Sequence, residues 1–227
     1  MFDPFEREIN YLRISVTDKC NLRYVYCMSE RGVLPLSHGE FLRFETIAEI
    51  VRIGVGLGLI KVRLTGGESL VKRGIVKLVQ LLWYLAMTTN GTLLARCTWH
   101  MRNAGLDKLN ISLDTLNPAR YPEPIRVGDV NDALSGIEAV RVAGFTIKIN
   151  MVVLRDTSPE EIQAMMEFCA SRGLTLQLIN HFDLNWEKQD DYRLERPPRC
   201  ERCSRNHLLA DENLKTCLHS EEDSPLD

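Results

Sequence analysis

Leu59-Ile60-Lys61-Val62-Arg63-Leu64-Thr65-Gly66-Gly67-Glu68 is the stretch that decides the fold. Its first half alternates apolar and polar residues, the period of a strand with one buried face. A helical pattern follows over residues 70–82, with Gly74 as its only glycine. Thr65-Gly66-Gly67-Glu68 is therefore a strand-to-helix turn. Two glycines let backbone approach a ligand closely, and a helix N-terminus favours anions. The Glu68 carboxylate could instead hold an amine. The plainer reading is a tight turn with Glu68 in the first helical turn.

The same unit recurs on both sides. Strands are predicted over 11–16, 59–64, 85–88, 109–113, 147–153 and 174–179. Helices are predicted over 44–57, 70–82, 93–104, 130–143 and 159–172. Alternation of this kind implies a parallel sheet with helices outside it, either twisted open or curled into a barrel. In a barrel the working residues lie at the C-terminal ends of the strands. Gly66, Gly67, Thr88 and Ser112 fall there, and Lys148 lies nearer the start of its strand. The link between residues 82 and 85 is very short for such a unit. After residue 182 the pattern stops. Residues 183–199 read as a polar linker, and 200–227 as a small segment that a metal centre could fold where an apolar core cannot.

Bulk properties exclude several classes. The chain has 227 residues, 44% of them hydrophobic and 26% charged, which suits a soluble globular protein. A net charge of −3 gives no general attraction to nucleic acid or to an anionic membrane. No apolar run approaches the roughly 18 residues of a membrane span. Charges at the N-terminus interrupt any leader pattern, so a cytoplasmic protein is expected.

Seven cysteines is a rich, odd number. Cys200 and Cys203 stand in C-x-x-C spacing, and Cys217 follows after thirteen residues. Three thiolates can hold zinc, with His207 or His219 as the fourth ligand, or an iron–sulfur cluster with one open iron. Cys20 and Cys27 are set seven apart with Tyr24 between them, and a phenol oxygen is a poor ligand for such a cluster. Cys97 and Cys169 read as incidental thiols. Arg13, Arg63, Lys148 and Arg205 are cations on strands or beside the C-terminal cysteines. Converging at one barrel mouth, they would suit a polyphosphate.

Taken together these residues resemble the radical S-adenosylmethionine (SAM) superfamily, and within it the GTP 3′,8-cyclase family of molybdenum cofactor biosynthesis. The resemblance is carried by residues 12–21 (LRISVTDKCN), 63–68 (RLTGGE), 88–91 (TTNG), 110–114 (NISLD) and the C-x2-C-x13-C set. It implies an α/β fold, a partial (β/α)6 barrel over 1–182 with a C-terminal cluster-binding segment over 200–227. It implies two [4Fe–4S] clusters, one at Cys20 and Cys27 with Tyr24 at the third cysteine position, the other at Cys200, Cys203 and Cys217. SAM would sit at Tyr26, Gly66, Gly67, Glu68 and Ser112. GTP would sit at Arg13, Arg63, Thr88, Lys148 and Arg205, and would be converted to (8S)-3′,8-cyclo-7,8-dihydroguanosine 5′-triphosphate. A reductant protein and a second copy of the chain are the expected partners.

The chain departs from the family pattern at Tyr24, at Ser69 (usually proline), at Gln177 and His207 (usually arginines), and in a short 182–200 region. Impaired activity is expected on account of Tyr24. The alternatives are a relative acting on another substrate, or a non-catalytic metal-binding protein that keeps only the C-terminal site.

Overall fold

The computed structural model describes residues 2–3, 6–27, 41–82, 85–181, 203–217 and 224–225. Strands β1 (Tyr11–Ser15), β2 (Lys61–Thr65), β3 (Leu85–Thr89), β4 (Lys108–Ser112), β5 (Thr146–Val153) and β6 (Thr175–Asn180) pair in sequence order, all parallel. The helices between them are α1 (Phe44–Gly56), α2 (Ile75–Leu81), α3 (Leu94–Asn103), α4 (Pro122–Ile125), α5 (Val130–Val142) and α6 (Pro159–Arg172). β6 and β1 do not pair, so the sheet is a partial barrel.

The alternation in the strands sets the layers. Leu12, Ile14, Val62, Leu64, Leu109, Ile111, Ile147, Ile149 and Met151 face the helices and are buried. Their neighbours face the open, concave side. α6 shows why some boundaries are sharp. Ser158 and Glu161 form a reciprocal capping box, Pro159 takes the first turn, and Gly173 ends the helix in the left-handed region.

The predicted 70–82 helix is a correction. A short 3-10 turn, Ser69–Val71, comes first, and α2 starts only at Ile75. Gly74 has φ +79, a left-handed conformation that breaks the helix. Three further strands extend the sheet beyond β1. β7 (Arg205–Leu208) adds parallel to β1, and β8 (Asn213–Lys215) and β9 (Ser224–Pro225) follow antiparallel. The 205–215 hairpin is thus part of the barrel sheet. The predicted linker 183–199 lies outside the described residues. No helix among the described residues is long and apolar enough to cross a membrane.

Candidate functional site

The concave face is built from alternate residues of adjacent strands in register. Arg13 stands beside Arg63 on one side and His207 on the other, and Tyr11 stands beside Arg205. Lys108 is level with Ala86, Thr88 with Asn110, and Asn110 with Lys148. Arg13, Lys61, Arg63, Lys108, Lys148 and Arg205 all share this face. None of the β1–β7 positions on it is Asp or Glu. Burial holds the Arg13 guanidinium below its ordinary range, and repulsion from Arg63 and Arg205 adds to that; Tyr11 opposes it. Lys61 is lowered by burial and then by the charges of Arg63, Lys148, Lys108 and Arg205. Tyr11 offers a ring face to Lys61 at 4.6 Å and to Arg63 at 5.6 Å.

Two of these cations, and two of their polar neighbours, keep an atom unmet among the described residues. Arg13 Nε, Arg63 Nε, Thr88 Oγ1 and Asn150 Oδ1 are buried side-chain atoms with no hydrogen-bond partner among the described residues. Buried polar atoms are normally paired, because an unmet one costs about 1–3 kcal/mol. All four lie on the concave face. Lys148 donates to Gln177 Oε1 at 3.2 Å. A cavity of about 180 Å³ opens at Arg13, Ser15, Thr65, Gly66 and His207. This arrangement suits an anion with several oxygens.

At the C-terminal ends of the strands the chemistry is the reverse. Gly67 N–H donates to Thr17 O at 2.7 Å, and Glu68 N–H to Lys19 O at 2.8 Å. A Cβ on Gly67 would lie 2.2 Å from Lys19 O, and one on Gly66 2.4 Å from Thr17 O. The glycines therefore admit the cysteine-bearing loop itself. The Glu68 carboxylate is buried and accepts from Leu70 N at 3.0 Å, Thr89 Oγ1 at 2.7 Å and Asn90 N at 2.7 Å. It ties the end of β2 to the end of β3. Burial raises its carboxyl above the usual range, against the pull of those donors. Ser69 Oγ donates to Thr88 O at 3.1 Å, a bond the family's proline could not make. Asn90 donates to Asn21 Oδ1 at 2.8 Å and pins the loop from the other side.

Within that loop, Tyr24 is buried in the core, and its hydroxyl donates to Ser112 O at 3.2 Å. Its ring lies 5.3 Å from that of Tyr26. Tyr26 donates to Asp114 Oδ2 at 2.7 Å, and Val152 N donates to Asp114 Oδ1 at 2.9 Å. Burial pushes the Tyr24 phenol well above its ordinary range, and Asp114, Tyr121, Cys20 and Glu68 add to it. Cys20 is half-buried and Cys27 exposed; burial raises both thiols. No group of three metal-ligating side chains stands together among the described residues. The donor set at this site is two thiols and a protonated phenol tied to a carbonyl. It does not fit a cluster held by three thiolates.

Cys203 precedes β7 and Cys217 follows β8, and the hairpin register brings Cys217 back level with Arg205. Arg205 Nε donates to Cys203 Sγ at 3.3 Å. Burial opposes ionisation of Cys203, but the Arg205 bonds and the charges of Arg205 and Arg7 outweigh it, and the thiol is lowered. A stabilised thiolate suits metal ligation. Cys200 lies outside the described residues.

Of the residues expected from sequence, Arg13, Arg63, Thr88, Lys148 and Arg205 share the concave face, while Gly66, Gly67, Glu68, Ser112 and Tyr26 gather at the mouth with Cys20 and Cys27. Sequence reading missed Lys61, Lys108, Asn110 and Asn150 on the concave face and Asp114 at the mouth. The signal was present as parity with residues already singled out: Lys61 is two before Arg63, and Asn150 two after Lys148.

Comparison with known proteins gives the family of the chain. The family model of the radical SAM superfamily matches residues 14–169. The GTP 3′,8-cyclase of Alkaliphilus oremlandii is 35% identical over 97% of this chain and 84% of its own length. Its alignment runs over 269 positions against 227 residues, so that relative carries segments this chain lacks. The GTP 3′,8-cyclase of Pelotomaculum thermopropionicum is 45% identical over 79% of this chain and 57% of its own length. The structure of Streptococcus suis SuiB bound to S-adenosylmethionine superimposes with a TM-score of 0.73 at 14% identity, covering 92% of this chain and 58% of that one. Native anSMEcpe with bound AdoMet gives 0.70 at 15% identity, covering 93% and 75%. At such identities the structures show the fold alone.

Proposed function

We infer the function from one premise: the chain belongs to the radical SAM superfamily and, within it, to the GTP 3′,8-cyclase family. Membership implies SAM and a [4Fe–4S] cluster. The substrate is GTP, and the reaction is its 3′,8-cyclisation in molybdenum cofactor biosynthesis. The observation that carries the substrate is the concave face, whose β1–β7 positions hold no acid and where Arg13, Arg63, Thr88 and Asn150 keep buried polar atoms unpartnered among the described residues. Arg13, Arg63, Lys148 and Arg205 hold the triphosphate through charge-assisted bonds, and Arg uses its planar fork for oxygen pairs. Thr88 and Asn150 offer a hydroxyl and an amide to the nucleoside.

The division into a barrel over 1–182, a linker over 183–199 and a cluster-binding segment over 200–227 is part of this proposal. Cys200, Cys203 and Cys217 are its second metal site. A reductant protein and a second copy of the chain are its partners.

Tyr24 favours a second reading beside the first, a family member that retains GTP with cyclisation impaired. The donor set of the first cluster, two thiols and a phenol, is incomplete. Isothermal titration with GTP tests the substrate. Micromolar binding that weakens with salt supports the proposal, because the attraction is carried by charge. Equal affinity for guanosine would overturn it, since the cations would then contribute nothing.

A further inference from the structure

The resemblance assigns SAM to Tyr26, Gly66, Gly67, Glu68 and Ser112. In this chain Tyr24 touches two of those residues. Its ring packs on Tyr26 at 5.3 Å, and its hydroxyl takes the carbonyl oxygen of Ser112 at 3.2 Å. The other polar groups of the site are spoken for as well. Gly67 N–H is bound to Thr17 O, and the Glu68 oxygens take three protein donors. Tyr26 O–H is bound to Asp114. The loop is anchored at both ends, through Asn21 to Asn90 and through Arg23 N and Val25 N to the carbonyls of Ile125 and Pro124. Its order therefore comes from protein contacts. A tyrosine that is 7% exposed in such a frame is a packed part of the core.

We propose that Tyr24 is a plug in the cofactor half of the mouth, which must leave its place between Tyr26 and Ser112 before SAM can seat. Tyr24 thus acts twice. It withholds a third thiolate from the cluster, and it fills space that SAM needs. The first effect is a matter of ligand count. The second is steric and independent of iron. The concave-face cations lie earlier along the same strands, and the ring and hydroxyl contacts of Tyr24 go to Tyr26 and Ser112 instead, so GTP binding is indifferent to Tyr24. That last clause rests on the substrate proposed above.

The two effects separate in three forms of the full chain, each reconstituted anaerobically with iron and sulfide. Tyr24→Ala opens the space without adding a thiolate, and Tyr24→Cys opens it and adds one. Equilibrium dialysis with labelled SAM should give an affinity order of Cys, then Ala, then wild type. Wild type is expected at least about tenfold weaker than Tyr24→Ala. If Tyr24→Ala equals wild type while Tyr24→Cys alone gains SAM, ligand count is the whole effect and the plug is overturned. If all three bind SAM alike, it is overturned also. Where Tyr24→Ala does not fold, Tyr24→Leu, which fills apolar space but cannot reach Ser112 O, enters the same comparison. GTP is titrated into the same three samples. Equal GTP affinity in all three is expected. No GTP binding in any of them would overturn the substrate and leave the SAM result to judge the plug.

Discussion

The mouth and the concave face are a few residues apart on the same strands, yet their polar groups are in opposite states. At the mouth, Gly67 N–H, the Glu68 carboxylate, the Ser112 carbonyl, the Tyr26 hydroxyl and both Asp114 oxygens are bound within the chain. On the concave face, Arg13, Arg63, Thr88 and Asn150 hold buried polar atoms that nothing among the described residues satisfies. Protein that is finished by its own contacts gains little from a ligand. Protein left with buried polar atoms unmet gains more, because part of their desolvation cost has already been met. The concave face is left open to an occupant, and the mouth has closed on itself.

The largest expected effect tests the open half. Arg13→Ala should weaken GTP binding by about 3–4 kcal/mol, several hundredfold, the range for truncating one partner of a buried charge pair. Isothermal titration measures it. The contrast predicts a second, opposite result from the same residue. Arg13→Met should raise the melting temperature of the ligand-free chain, since a half-buried cation with an unmet buried Nε is replaced by apolar packing. A melting temperature that falls would mean Arg13 is satisfied without a ligand.

The closed half has its own signature in pH. Burial pushes the Asp114 carboxyl up to about 6, from an ordinary 3.8, against the pull of Tyr26 and Val152 N–H. A carboxyl whose folded pKa is raised binds its proton more tightly when folded. Its contribution is therefore fully present below the unfolded value and is lost as pH rises from about 4 to about 6. A shift of this size corresponds to roughly 2–3 kcal/mol. Urea midpoints should fall across that window more steeply in wild type than in Asp114→Asn. Parallel curves would show that Asp114 titrates as it does in the unfolded chain.

Gly67→Ala comes next, at about 2 kcal/mol of stability. A Cβ there meets the Lys19 carbonyl at 2.2 Å, and that partner is backbone, which cannot swing aside, so the cysteine loop must lift from the β2 turn. Thermal unfolding checks this. The same substitution should leave GTP affinity nearly unchanged if the two halves are independent.

Much of this was open to reading in the sequence, and the failures have physical causes. The strands were legible because one face is apolar and the other polar. α6 was legible to the residue because Ser158, Pro159 and Gly173 mark its ends. The break at Gly74 was missed because a glycine inside an apolar helical pattern is tolerated as often as it interrupts. β7 and β8 are short and pair with distant partners, so they carry little local signal. The cations at Arg13, Arg63, Lys148 and Arg205 were visible one by one. Their sharing of a single acid-free face, with Lys61 and Lys108, depends on strand register. Glu68 was read as an amine ligand or a turn residue. Its actual partners, Thr89 and Asn90, lie on the neighbouring strand's end, which only pairing brings within reach.

Tyr24→Phe is the smallest change and the finest probe of the contrast. It keeps the ring, its packing on Tyr26 and its burial, and removes only the hydroxyl that meets Ser112 O. A neutral hydrogen bond contributes about 1 kcal/mol, and this one is part-buried. Stability should therefore fall by about that amount in urea titration. A drop of less than half that figure would mean the Ser112 carbonyl finds another donor, and the mouth would be less closed than its bonding implies. Iron content sharpens the comparison from the other side. Tyr24→Phe should bind no more iron than wild type, because neither supplies a third thiolate. Tyr24→Cys should bind more, by roughly the content of one four-iron cluster. Equal iron in all three would leave the closure of the mouth intact but would remove Tyr24 as the reason the first cluster falls short.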